Sequence, residues 1–240
     1  MANKVFRSDD RGDHWEVISD DLTSGTDRNN WPVMGYYWSY DAVVKDVSTS
    51  LFGTGVSFCE SPLDPDLLYA GTDDGVLSVT EDGGATWKKI MQFEGVPEYT
   101  YISDIMADKF DANVVYVSFD NRKRDDFKPY VLKSTDRGSS WSSLAADLPE
   151  DETVHTLEQD PEQQSLLFAG TEFGVYFSIN GGATWDELSS GIPAIAVRDM
   201  VIQERENDLV VATFGRGFYI LDDYTPLREL AQNSEITGQQ

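Results

Sequence analysis

Four carboxylates recur at equivalent points along the chain: Asp73, with Asp74 beside it, then Asp120 and Glu172. Paired carboxyl groups can cleave a glycosidic bond when two of them face each other at a set separation. They can also hold a cation, or stand as solvated loop charges. Aromatic rings would give sugars a stacking platform, and Trp31-Pro32-Val33-Met34-Gly35-Tyr36-Tyr37-Trp38-Ser39-Tyr40 is dense in them. The loop from Asn121 to Lys128 adds both charges, with Arg122 and Arg124 among them. The candidates for ligand contact are therefore Tyr36, Tyr37, Trp38, Tyr99, Arg122, Arg124, His155, Phe173 and Arg216. Asp73, Asp74, Asp120 and Glu172 are the weak catalytic candidates.

A repeat must position these groups. One phrase occurs four times, as Ser8-Asp9-Asp10-Arg11-Gly12-Asp13-His14-Trp15 and Thr80-Glu81-Asp82-Gly83-Gly84-Ala85-Thr86-Trp87, then as Ser134-Thr135-Asp136-Arg137-Gly138-Ser139-Ser140-Trp141 and Ser178-Ile179-Asn180-Gly181-Gly182-Ala183-Thr184-Trp185. Each copy lies between two apolar runs, which makes it a hairpin turn. The third position (Asp10, Asp82, Asp136, Asn180) can bond nearby backbone N–H groups. The fifth (Gly12, Gly84, Gly138, Gly182) supplies a positive φ. The closing Trp buries a large ring. These residues, with the leading hydroxyls Ser8, Thr80, Ser134 and Ser178, read as structural.

Two further β-rich runs precede each later turn, so one unit is four strands, A to D, with the phrase between C and D. Four-stranded units of this length predict an all-β fold, a β-propeller. Full blades are expected near 51–91, 99–145 and 153–189. Residues 1–19 supply only a C–D hairpin, and 196–223 only A, B and C. Either the chain is part of a larger ring or it closes a small one by sharing strands between its ends. The propeller is expected over 1–225, with an aromatic insert at 20–50, and 226–240 reads as a polar tail or linker. In such a blade the A–B and C–D turns share one rim, and the B–C and D–A loops share the other. The four carboxylates lie on the second rim, where a ligand is expected.

Composition narrows the classes. Lys and Arg number 18 against 43 Asp and Glu, a net charge of −25. Nucleic acids and anionic membranes need basic patches, so such a surface argues against both as partners. Cys59 is the single cysteine and His14 and His155 the two histidines. No intrachain disulfide can form, no zinc-ligand spacing occurs, and neither a metal nor a cofactor is expected. No apolar run is long enough to span a membrane.

The four phrases resemble Asp-box (BNR) repeats, with His14 in place of the usual hydroxyl and Asn180 in place of Asp. The wider pattern is similar to bacterial sortilin-like and glycosyl hydrolase BNR-repeat proteins. It is carried by Ser61-Pro62-Leu63-Asp64-Pro65, Gly71-Thr72-Asp73-Asp74-Gly75, Asp125-Asp126-Phe127-Lys128-Pro129-Tyr130, Gly170-Thr171-Glu172-Phe173-Gly174 and Gly215-Arg216-Gly217-Phe218-Tyr219-Ile220-Leu221-Asp222-Asp223. The resemblance implies the C-terminal part of a propeller, an exported protein, and either a scaffold or a binder of a glycan or protein ligand on the B–C loop rim. Its alternative implication is a sialidase- or xyloglucanase-like glycoside hydrolase. No sialidase arginine motif and no Tyr–Glu nucleophile pair can be assigned.

Overall fold

Short apolar runs rich in Val, Ile, Tyr and Phe, punctuated by Gly and Asp, favour strands that cross one narrow sheet. The computed structural model describes residues 3–43, 52–145, 147–189 and 191–237. It opens with a hairpin of β1 (Phe6–Arg7) and β2 (Glu16–Val17). The first full sheet is β3 (Gly55–Ser61), β4 (Asp64–Thr72), β5 (Leu77–Thr80) and β6 (Lys88–Ile90). The second is β7 (Tyr101–Ala107), β8 (Val115–Asp120), β9 (Tyr130–Ser134) and β10 (Ser142–Ser143). The third is β11 (Val154–Gln159), β12 (Leu167–Thr171), β13 (Val175–Ser178) and β14 (Asp186–Glu187). A three-stranded sheet of β15 (Val197–Gln203), β16 (Asp208–Thr213) and β17 (Gly217–Leu221) follows. All pairings are antiparallel between sequential strands, and β3, β7, β11 and β15 pack side by side. The chain is an all-β propeller with three complete blades and two partial ones.

Apolar layers between successive blades form the core. Leu77 and Val79 of the first full blade meet Ile102, Ile105 and Phe119 of the second. Tyr116 and Val131 meet Leu157, Leu167 and Trp185 at the next boundary, and Phe168 and Val175 meet Met200, Leu209 and Tyr224 at the third. Burying such side chains stabilises the structure by about 1.5–3 kcal/mol each.

The Asp-box turns clamp these boundaries. The Gly84 N–H donates to Thr80 Oγ1 at 3.0 Å, and the Thr86 N–H to Asp82 Oδ1 at 2.8 Å. Thr86 Oγ1 donates to Asp82 Oδ2 at 2.6 Å, and in the first box His14 Nδ1 takes over this bond to Asp10 Oδ2 at 2.5 Å. Asn180 inverts the direction, its Nδ2 donating to Thr184 Oγ1 at 2.8 Å. Both departures from the pattern therefore preserve the turn. Trp87 Nε1 donates to the Ile18 carbonyl and Trp185 Nε1 to the Leu144 carbonyl, each at 2.8 Å and each in the preceding blade. Gly182 adopts φ +89°, and a Cβ there would lie 2.8 Å from Leu144 Cδ1. Glycine is thus required both by conformation and by close approach.

The polar segment 226–240, open to reading as a short helix or a linker, lies largely in helix α1 (Thr225–Thr237), with 238–240 outside the described residues. Tyr224 OH donates to Asp160 Oδ2 at 2.8 Å, and Arg228 Nη2 donates to the same oxygen at 2.7 Å. Asp160 is fully buried. The spacing of Tyr224, Leu227, Arg228 and Ala231 marks one helix face. Polar composition hides that pattern, because one member of the stripe is an arginine.

Candidate functional site on the B–C loop rim

The same irregularity occurs at the start of every first strand. Register shifts fall between Gly55 and Ser57, Ile102 and Asp104, Val154 and Thr156, and Val197 and Asp199. The extra residues are Val56, Ser103, His155 and Arg198. A bulge re-aims its extra side chain. Ser103, His155 and Arg198 come to line one cleft of about 290 Å3, with Tyr101, Asp120, Arg122 and Lys123. The B–C loops complete it: β8 ends at Asp120, a short 3-10 turn carries Arg122–Arg124, and Glu172 follows β12.

Arg122 is the hub. Its Nη2 donates to Asp120 Oδ2 at 2.8 Å and its Nε to Asp120 Oδ1 at 3.0 Å, while its Nη1 grips Glu172 Oε2. His155, buried, pairs its Nε2 with Glu172 Oε2 at 2.9 Å. Arg198 Nη1 lies 3.3 Å from His155 Nδ1, and its Nη2 lies 3.8 Å from Glu172 Oε2. Arg198 Nη1 also lies 3.2 Å from His155 Nε2, so the guanidinium sits against both ring nitrogens. Burial, then the Arg198 and Arg122 charges, lower the His155 pKa against the opposing pull of Glu172. Burial works to raise the Asp120 pKa, but hydrogen bonds and charge from Arg122 outweigh it and hold the carboxyl below its ordinary value. The Arg198 guanidinium packs over the Phe214 ring, 5.4 Å from its centroid.

The other candidates lie elsewhere. Asp73 Oδ1 accepts from the backbone N–H groups of Gly53 at 2.9 Å and Thr54 at 2.6 Å. Asp74 is buried, accepting from Thr72 Oγ1 at 2.5 Å and from the Ser24 N–H at 2.9 Å. Both tie the incoming chain to the first full blade. Arg124 donates to the carbonyls of Glu98 and Tyr99. The Tyr99 ring meets Trp31 edge-on at 5.3 Å, which pins the aromatic insert to the rim. Tyr36, Tyr37 and Trp38 are exposed, with Trp38 Nε1 donating to the Val33 carbonyl at 3.1 Å. Residues 44–50 of that insert lie outside the described residues. Phe173 and Arg216 are exposed, and the Phe173 N–H donates to Glu152 Oε2 at 3.1 Å. Among the described residues, no group of three His, Cys, Asp or Glu could hold a metal ion.

Tyr101, Ser103, Lys123 and Arg198 line the cleft without being among the candidates, and Ser103 and Arg198 sit at the bulges. Aligning the four first strands on their small B-strand partners (Gly71, Ser118, Gly170 and Ala212) would have put both in register with His155.

Residues 75–219 match the Sortilin-Vps10 family model, described as Sortilin, neurotensin receptor 3. The chain belongs to this family. Curated proteins similar to this chain include the xyloglucanase Xgh74A of Acetivibrio thermocellus, 28% identical over 152 residues, which are 58% of this chain and 18% of that protein. Vacuolar protein sorting/targeting protein 10 of Arthroderma gypseum is 30% identical over 140 residues, 54% of this chain and 9% of that one. The chain thus spans less than a fifth of either relative. An ancestral GH74 enzyme superposes with a TM-score of 0.62 at 18% identity, over 88% of this chain and 25% of the enzyme. YCF48 bound to D1 peptide superposes with a TM-score of 0.54 at 16% identity, over 71% and 51%. These likenesses show the propeller fold. Among the described residues, no helix is long and apolar enough to cross a membrane.

Proposed function

We propose that the chain is a ligand-binding propeller whose rim cleft recognises a carboxylate on a polypeptide partner. The observation that carries this reading is Arg122 gripping Asp120 and Glu172 at once. A glycosidase needs its two carboxyls free to flank the scissile bond, one of them protonated. Here a guanidinium occupies the space between them, and Asp120 is held below its ordinary pKa. Two anions neutralise two of the cations Arg122, Lys123 and Arg198, which leaves the cleft locally positive on a body of net charge −25. Arg198 is the natural ligand contact, because its nearest carboxylate distance is 3.8 Å and aromatic packing on Phe214 holds it in place. Family membership supports a binding role, as does the peptide bound to the YCF48 neighbour. The same family resemblance supports export to a periplasmic or extracellular setting.

A second reading, glycan binding, is favoured by the exposed Tyr36, Tyr37 and Tyr40, at 70%, 73% and 76% exposure. Titration with matched peptides bearing free or amidated C-termini tests the first. Free acids should bind and amides should not, and Arg198→Ala should weaken binding about tenfold or more, as expected for a lost charge-assisted bond. Release of reducing ends from xyloglucan oligosaccharides, abolished by Asp120→Asn, would instead establish hydrolysis.

A further inference from the structure

The cleft holds three cations, and only one of them is spent on the chain's own carboxylates. Arg122 commits Nε and Nη2 to Asp120 and Nη1 to Glu172. Lys123 follows it on the 3-10 turn, where three residues complete a turn, so the two side chains diverge. The Lys123 ammonium lies over the Tyr101 ring, 5.5 Å from its centroid, as Arg198 lies over Phe214 at 5.4 Å. An aromatic seat holds a cation in place without neutralising it. Among the described residues, Lys123 has no carboxylate within ion-pair distance, and Arg198 Nη2 is 3.8 Å from Glu172, too far for a hydrogen bond. The two seats flank the hub. Tyr101 opens β7 and Lys123 follows β8, whereas Arg198 lies in β15 and Phe214 follows β16. Strand β11, which carries His155, packs against both β7 and β15.

We propose that the cleft takes a polypeptide C-terminus whose last residue is acidic. Arg198 receives one carboxylate and Lys123 the other. The proposal rests on the carboxylate reading above and adds a side-chain preference to it, with Lys123 as the residue that sets the preference. A terminal Glu or Asp carries two carboxylates on a single residue. At about 290 Å3 the cleft is at the small end of ligand pockets, which suits one residue rather than a run. Each carboxylate then meets its own cation in a charge-assisted bond. The protein as a whole, at −25, repels added negative charge, so a preference for an acidic end has to come from the cleft itself.

Calorimetric titration of the full chain with three peptides tests this: one ending in Ala-Glu, its isomer ending in Glu-Ala, and the C-terminal amide of that isomer. The two free acids carry the same net charge and differ only in where the acidic side chain falls. The Ala-Glu end should bind about three- to tenfold tighter than the Glu-Ala end, as one partly solvated charge-assisted bond allows. Lys123→Gln should bring the two isomers within about twofold of each other, because the pair it removes is the one that tells them apart. Lys123 is exposed, so the circular dichroism of the variant should match the parent. If the Glu-Ala acid and its amide bind alike, the carboxylate reading fails and takes this inference with it. If the acid outbinds the amide but the two isomers bind alike, that reading stands and this inference is overturned. A preference for the Ala-Glu end that persists undiminished in Lys123→Gln would also overturn it.

Discussion

Trp185 donates its indole N–H to the carbonyl oxygen of Leu144 across a blade boundary, at 2.8 Å. The bond belongs to two blades at once, so it reports on cohesion between repeats. Trp185→Phe should cost about 1–2 kcal/mol, because it leaves a partly buried carbonyl without its donor. Trp185→Ala should cost about 3–5 kcal/mol, because it also opens a cavity. Trp15→Ala should fall within about 0.5 kcal/mol of the parent, as exposed changes do. Denaturant titration of the three variants checks the contrast.

Arg122→Gln should leave Asp120 and Glu172 without their shared cation. Asp120 should then titrate higher, since Arg122 is what outweighs the effect of its burial. Two facing carboxylates disfavour joint ionisation. The side chain is partly exposed, so the expected loss of stability is modest, about 1–3 kcal/mol. Carboxyl chemical shifts measured against pH would detect the change.

Asp104 behaves in the opposite way. Burial raises its pKa from 3.8 to about 6, despite hydrogen bonds from the Leu157 and Ile105 N–H groups. A raised carboxyl contributes stability below the unfolded value and loses it as pH rises through the folded value. The parent should therefore lose up to about 3 kcal/mol between roughly pH 4 and pH 6. Asp104→Asn should abolish that limb in melting curves recorded across the window. An unchanged limb would assign it to another group.

His155 should titrate below the ordinary 6.5, because burial and the neighbouring Arg198 and Arg122 resist its protonation. Its depressed pKa contributes stability above the unfolded value, lost as pH falls through the folded one. Arg198→Ala should move the imidazole titration upward, which NMR of the ring protons would follow. A downward movement would contradict the assigned geometry.

The architecture was legible because its marks are local. An Asp, a Gly and a Trp at fixed spacing specify one turn, and four such turns specify blades. The site was only half legible. Asp120, Arg122, His155 and Glu172 lie on the rim where loops were expected to converge, but nothing in their spacing distinguishes them from Asp73 and Asp74, which bind backbone instead. That difference depends on which N–H groups arrive from the insert. Arg198 looked like an ordinary strand residue, because a bulge is a mismatch between two strands and neither strand reveals it alone. The docking of helix α1 was hidden for a related reason: its buried arginine pairs with Asp160, 68 positions earlier.

The bulge repeated in all four first strands has an evolutionary consequence. Val56, Ser103, His155 and Arg198 occupy one address in successive copies, each the extra residue of its bulge. The repeat therefore carries one variable position in every copy of a constant scaffold. Selection could alter the lettering around the aperture one copy at a time while the frame that holds it stayed constant.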